Sequence, residues 1–279
     1  MIRQIGFALS DLAGLAYYWY RTRSAKRGMD ARITRHDYGP HRRQYFLLAE
    51  PAGAGREEER PWAVYLHGGA WTFGTPDSFL PAARPWLAAG YRVILPSYRR
   101  PPLVNLEDIV ADCRAAITEA ATLARETGRP LGPVQVAGIS AGGHLAAVLA
   151  LHPEWWSAAG WPRCPKQTLL FAAPLDLDLL RPGLLFGKYP AISPCAGPGP
   201  DRDSEWLLIH GDRDGMVAQQ HSLRFAHHLR RAGARVQSVT IPGGGHLDAG
   251  RWTYDEDDAN AALIADFIHR GVPVPPGEA

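Results

Sequence analysis

The sequence predicts an α/β fold: a mostly parallel, doubly wound sheet flanked by helices on both faces. Short apolar runs alternate with helix-length segments from residue 62 to residue 269. Runs that are apolar throughout, rather than alternately polar, are strands buried on both faces, as in parallel sheets. The connections are short, and right-handed crossovers then give one doubly wound domain, not the two that 279 residues would permit. The 29 Gly and 24 Pro follow no repeat, so their excess means many loops.

The elements follow in order. Residues 5–20 are mostly apolar, with Asp11 inside, Arg3 before, and Arg21, Arg23, Lys26 and Arg27 after. That is short of the ~20 apolar residues of a membrane-spanning helix, and Asp11 would be costly there. The run is also a poor signal peptide, with one n-region Arg and an interrupted apolar stretch. A helix packed on the domain is expected. Tyr17, Tyr18, Trp19 and Tyr20 beside basic residues make membrane-surface or partner contact through residues 1–27 the alternative. Two short strands, 34–38 and 44–49, flank the Gly39-Pro40 turn, and 51–61 is a polar loop. A strand at 62–66 precedes a helix at 79–89, closed by Gly90, and a strand at 91–95. The segment 106–127 is a long amphipathic helix with Ile109, Val110, Cys113, Ile117 and Ala120 on one face. Then come a strand at 134–137, an Ala/Leu-rich helix at 141–151, and strands at 168–172 and 206–209. A helix at 222–231, a strand at 236–241 and a helix at 257–269 complete the alternation. Residues 1–30 are thus expected as a helical extension, 31–272 as the main domain and 273–279 as a tail.

Composition narrows the function. Thirty basic and 28 acidic residues leave +2, which gives no support to a nucleic-acid partner. Cys113, Cys164 and Cys195 have no CxxC or Cys/His spacing, which argues against a disulfide framework or a zinc site and fits a cytoplasmic protein. No GxGxxG, Walker loop or HExxH appears, so no metal or other cofactor is expected.

The chemistry concentrates in four loops. Gly138-Ile139-Ser140-Ala141-Gly142 is a G-x-S-x-G between a strand and a helix. A serine on so tight a turn needs small residues two before and two after it, and the following helix N-terminus points N–H groups and positive dipole at its oxygen. Ser140 is the candidate nucleophile. His67-Gly68-Gly69-Ala70-Trp71 follows the 62–66 strand. Its glycines let backbone N–H groups approach a developing oxyanion. Gly68, Gly69 and Ala141 are the candidate oxyanion hole, with Ala70 a further possibility there and His67 structural. At the end of the 206–209 strand stand Asp212 and Asp214, either able to orient an imidazole. Asp214 is favoured as the acid and Asp212 as a turn residue, with Asp176 as outside candidate. Finally, of the eleven His, His246 follows a late strand on a Gly243-Gly244-Gly245 loop and is the candidate base. His221, His227, His228 and His269 are expected at the surface, His144 packed, and His152 capping. Trp71 and Phe73 are candidate substrate-binding residues. Trp155, Trp156, Leu184, Leu185, Phe186 and Trp252 are further candidates for the pocket wall.

With Ser140, Asp214 and His246 in that chain order and the HGGxW segment upstream, the chain resembles the α/β-hydrolases. It is most similar to the HGGxW-type carboxylesterase and arylformamidase-like branch, related to the hormone-sensitive-lipase group. Ala70 stands where that group has a third glycine, and Ala191-Ile192-Ser193-Pro194 adds to the likeness, which covers roughly residues 34–270. The resemblance implies a Ser-His-Asp serine esterase for small-molecule esters, with arylformamidase as the alternative. A non-catalytic binding protein of the same fold is less favoured, because no triad member is missing. The short 153–167 insert implies a minimal lid and short-to-medium acyl or small aryl esters.

Overall fold

The computed structural model describes residues 2–180 and 189–273. Helix α1 (Ile2–Lys26) leads into strands β1 (Ala31–Asp37), β2 (Tyr45–Pro51) and β3 (Trp62–Leu66). Helices α2 (Pro76–Phe79) and α3 (Arg84–Ala88), strand β4 (Arg92–Pro96) and helix α4 (Leu106–Glu126) follow. Next are β5 (Val134–Ile139), α5 (Ala141–Ala150), α6 (Pro153–Ala158), β6 (Gln167–Phe171), β7 (Glu205–Gly211), α7 (Gln220–Arg231), β8 (Arg235–Ile241) and α8 (Ala259–Arg270).

The strands form one sheet in the order β1-β2-β4-β3-β5-β6-β7-β8. β1 and β2, and β2 and β4, pair antiparallel, and every later pair is parallel. Period-two geometry splits the core into two layers. Val64, Leu66, Val136, Leu170 and Leu208 face Ile109, Cys113 and Ile117 of α4, Leu145 of α5 and Phe225 of α7. Their neighbours Ala63, Tyr65, Ala137, Leu169 and Leu207 face Trp86 of α3, Ile264 and Phe267 of α8, and Tyr18 of α1.

Strand ends differ from the expected ones by a few residues. The segment expected as one helix over 79–89 is broken. It runs as α2, a 3-10 turn over Leu80–Ala83, and α3. Pro81 and Pro85 lack the N–H donors that a continuous helix would need there. α4 starts at a capping box, Asn105 and Asp108 exchanging side-chain-to-backbone bonds of 2.9 Å each. α1 lies on the domain, with Trp19 edge-on to Phe79 at 5.2 Å and Tyr18 edge-on to Tyr254 at 5.7 Å. Among the described residues no helix is long and apolar enough to cross a membrane, and the three cysteines are free.

Candidate active site

β5 ends at Ile139 and α5 begins at Ala141, so Ser140 alone makes the turn. Its backbone sits at φ 54°, ψ −126°, strained for a residue with a side chain and worth about 1–3 kcal/mol. The surroundings hold it there. Ser140 N–H donates to Phe171 O at 2.8 Å, and its carbonyl accepts the first helical bond, from His144 N–H at 3.1 Å. A Cβ on Gly138 would collide with the Gly142 carbonyl, and one on Gly142 with the Leu66 carbonyl. Only glycine lets strand, turn and helix approach so closely. The N–H groups of the first turn of α5, Ala141 among them, have no partner within the helix.

The His67–Trp71 segment comes up beside that turn. A Cβ on Gly68 would stand 3.3 Å from Ser140 Cβ, so the loop and the candidate nucleophile are neighbours. Gly69, Ala70 and Trp71 all take positive φ, and Phe73 N–H closes the turn on Gly69 O at 2.7 Å. His67 lies beneath, stacked on Tyr98 at 4.4 Å, with Nδ1 2.8 Å from Gly68 O. Burial pushes its pKa down to about 4, so the ring is a neutral support.

Asp214 and His246 meet across the ends of β7 and β8. His246 Nδ1 donates to Asp214 Oδ2 at 2.7 Å, while Asp214 Oδ1 accepts the N–H groups of Met216 and Val217 at 2.9 and 2.7 Å. His210 Nε2 lies 3.0 Å from Asp214 Oδ2 and 2.8 Å from Val217 O, so its one proton is shared. Burial works against the Asp214 charge, but the His246 charge and the bonds from both histidines prevail and hold the carboxyl well below its usual range. For His246, burial disfavours the imidazolium. The Asp214 charge and hydrogen bond, with Asp11 adding, outweigh it and raise the pKa above 6.5. The bond to Asp214 puts the ring proton on Nδ1 and leaves Nε2 as a base. The 3-10 turn after His246 returns to the elbow, where a Cβ on Gly250 would crowd Ile139 Cδ1.

The other sequence candidates separate from this cluster. Asp212 Oδ1 takes Gly243 N–H at 2.7 Å, a turn role. Asp176 caps a 3-10 turn and pairs with Arg224 at 2.8 Å. His221, expected at the surface, is buried, its Nδ1 accepting Asp176 N–H at 3.2 Å, because α7 turns that face inward. His144 is packed, with Nε2 2.8 Å from Ile192 O. Trp71 is buried in the core, edge-on to His144, whereas Phe73 is 67% exposed. Trp156 and Trp252 are core residues, and Trp155 stacks on His152 at 3.9 Å. Leu184, Leu185 and Phe186 lie outside the described residues. Sequence reasoning missed His210 and gave Asp11 no role at the site. A lone acid in an otherwise apolar helix was the signal for Asp11. His210 carried none beyond its strand.

Comparison with known proteins agrees with this architecture. Residues 63–183 match a family model described as alpha/beta hydrolase fold, and residues 185–271 match the prolyl oligopeptidase family. An ethyl acetate hydrolase of Pseudomonas putida is 26% identical over 216 residues, covering 66% of this chain and 64% of that one. Carboxylesterase NlhH of Mycobacterium tuberculosis is 38% identical over 92 residues, 32% of this chain and 28% of its own. The matched stretches thus span less than two-thirds of either relative. Esterase B from Lactobacillus rhamnosis superposes with a TM-score of 0.70 at 20% identity, covering 96% of both chains. Thermogutta terrifontis esterase 2, phosphoramylated by tabun, superposes with a TM-score of 0.68 at 24% identity, covering 86% of this chain and 92% of its own. At these identities the two structures speak for the fold alone.

Proposed function

We propose that this chain, which has the α/β-hydrolase fold, is a serine carboxylesterase using Ser140, His246 and Asp214. The observation that carries the reading is the strained Ser140 backbone at the strand-to-helix turn, the geometry that presents a nucleophilic serine at the end of a parallel strand. His246 Nε2 takes the Ser140 Oγ proton as that oxygen bonds to the ester carbonyl carbon. The electron pair of the broken C=O bond moves to oxygen, where the N–H groups of Gly69 and Ala141, with Gly68 beside them, receive it. Collapse expels the alcohol, which leaves with the proton from His246. Water then releases the acyl group by the same steps. Asp214 keeps the Nδ1 proton in place and balances the imidazolium charge.

Short-to-medium acyl or small aryl esters suit the site. The segment from Leu151 to Gln167 holds only α6, too little for a large lid. A curated relative is an ethyl acetate hydrolase. Phe73, exposed beside the oxyanion loop, offers an apolar contact to the ester.

Ser140→Ala should leave Tm unchanged and cut kcat on p-nitrophenyl acetate by about 10⁶-fold. Wild-type turnover in that variant would overturn the assignment. Fluorophosphonate labelling, abolished in the same variant, excludes a silent binding protein. Faster hydrolysis of N-formylkynurenine than of p-nitrophenyl esters would move the reading from esterase to arylformamidase.

A further inference from the structure

Asp11 is the only acidic residue of α1, and it is buried, 6% exposed. Its two oxygens serve two different loops. Oδ1 accepts the His246 N–H at 3.0 Å, and Oδ2 accepts the Gly215 N–H at 3.0 Å. One amide belongs to the candidate base, the other to the residue after the candidate acid. A Cβ on Gly245 would collide with the Asp11 carboxylate, so the base loop is glycine where the helix reaches it.

We propose that Asp11 is a positioning residue: through the backbone amides of Gly215 and His246 it sets the spacing of Asp214 and His246. The proposal rests on the serine-esterase reading. Without Asp11 the buried His246 amide and the part-buried Gly215 amide would lose their acceptor. Burial disfavours the Asp11 charge more than the two amides favour it, and its pKa is raised. A merely space-filling helix would have no use for such a group. The charged and titratable groups around the pair are Asp214 on the acid loop, His210 on β7, Asp248, Arg251, Tyr254 and Asp255 after the base, and Tyr17, Tyr18 and Arg21 on α1.

The test is Asp11→Asn in the full chain. The two amides bond to different carboxylate oxygens, and Asn keeps only one of those as an acceptor, so the new NH2 group confronts either the His246 or the Gly215 N–H. kcat on p-nitrophenyl acetate should fall about 10- to 100-fold, with KM within about twofold. The acid limb of kcat/KM should move to lower pH, because a negative charge near His246 is gone. Trp19→Ala is the control, since it removes an aromatic anchor of the same helix without touching either loop. It should lower Tm and leave the acid limb in place. Wild-type kcat with an unmoved limb in Asp11→Asn overturns the proposal, as does Trp19→Ala reproducing both effects. If the wild type hydrolyses no ester and takes no fluorophosphonate, the esterase reading falls instead. The His246 ring titration, followed by NMR in both variants, then still reads the link between Asp11 and the base.

Discussion

Two buried carboxylates lie toward opposite sides of the sheet, each held by several donors. Glu50 on β2 receives Arg32 Nη2 at 2.9 Å, Arg92 Nε at 3.1 Å, and Arg129 Nε and Nη2 at 3.0 and 2.9 Å. Asp214 after β7 receives His246, His210 and two backbone amides. The geometry is similar and the partners differ. A guanidinium keeps its proton at every accessible pH, so the Glu50 cluster is a fixed weld between β2, β4 and the segment before β5. An imidazole exchanges its proton near neutrality, so in the proposed mechanism the same kind of carboxylate becomes part of a device that moves one.

Breaking the second cluster should damage rate above all. Asp214→Asn should lower kcat about 10⁴-fold, because an amide donating to His246 Nδ1 forces the proton onto Nε2. In the wild type the base must be neutral and its pKa lies above 6.5, so kcat/KM should rise with pH through a limb above that value. A pH–rate profile with the acid limb below 6.5 would refute the pairing with Asp214.

Breaking the first cluster should do the reverse. Glu50→Gln leaves three arginines facing a neutral amide, a loss of about 3–5 kcal/mol in a urea melt, with kcat per folded molecule unchanged. Burial opposes the Glu50 charge, but Arg129, Arg32 and Arg92 outweigh it and hold the pKa at about 2, against 4.5 for a free glutamate. The depressed value means that the stabilisation is complete above pH 4.5 and drains away as pH falls toward 2. Glu50→Gln should flatten that acid portion of a Tm-versus-pH curve. A drop in kcat at pH 8 would erase the contrast between the two clusters.

A third carboxylate sharpens the comparison at its weak end. Asp212 is exposed and holds a single amide, that of Gly243. Asp212→Ala should cost about 0.5–1.5 kcal/mol in the same melt, and the acid limb should stay where it is, even though Asp212 is only two residues from Asp214.

Much of this was legible in one dimension. The parallel strands were readable because full burial leaves them apolar throughout, and the helices because α4 keeps one apolar stripe. Ser140 was readable because a steric demand, small residues at 138 and 142, is written in adjacent positions. Asp214 and His246 were readable only jointly, by their order after two late strands. The break between α2 and α3 was visible in Pro81 and Pro85, yet the apolar periodicity across 79–89 masked it. His221 was misplaced because helix-facing depends on what α7 packs against, which no local pattern states.

By itself, then, the sequence determined the α/β alternation, the glycine-framed turn at Ser140 and the identity of the groups after β7 and β8, since each rests on neighbours a few positions apart. Tertiary structure alone decided which carboxylate reaches His246, that His210 shares it, and that Asp11 closes the back of the pair. Those contacts join segments up to 235 positions apart. Hydrogen bonds act over about 3 Å, and only the folded chain brings such segments within that range.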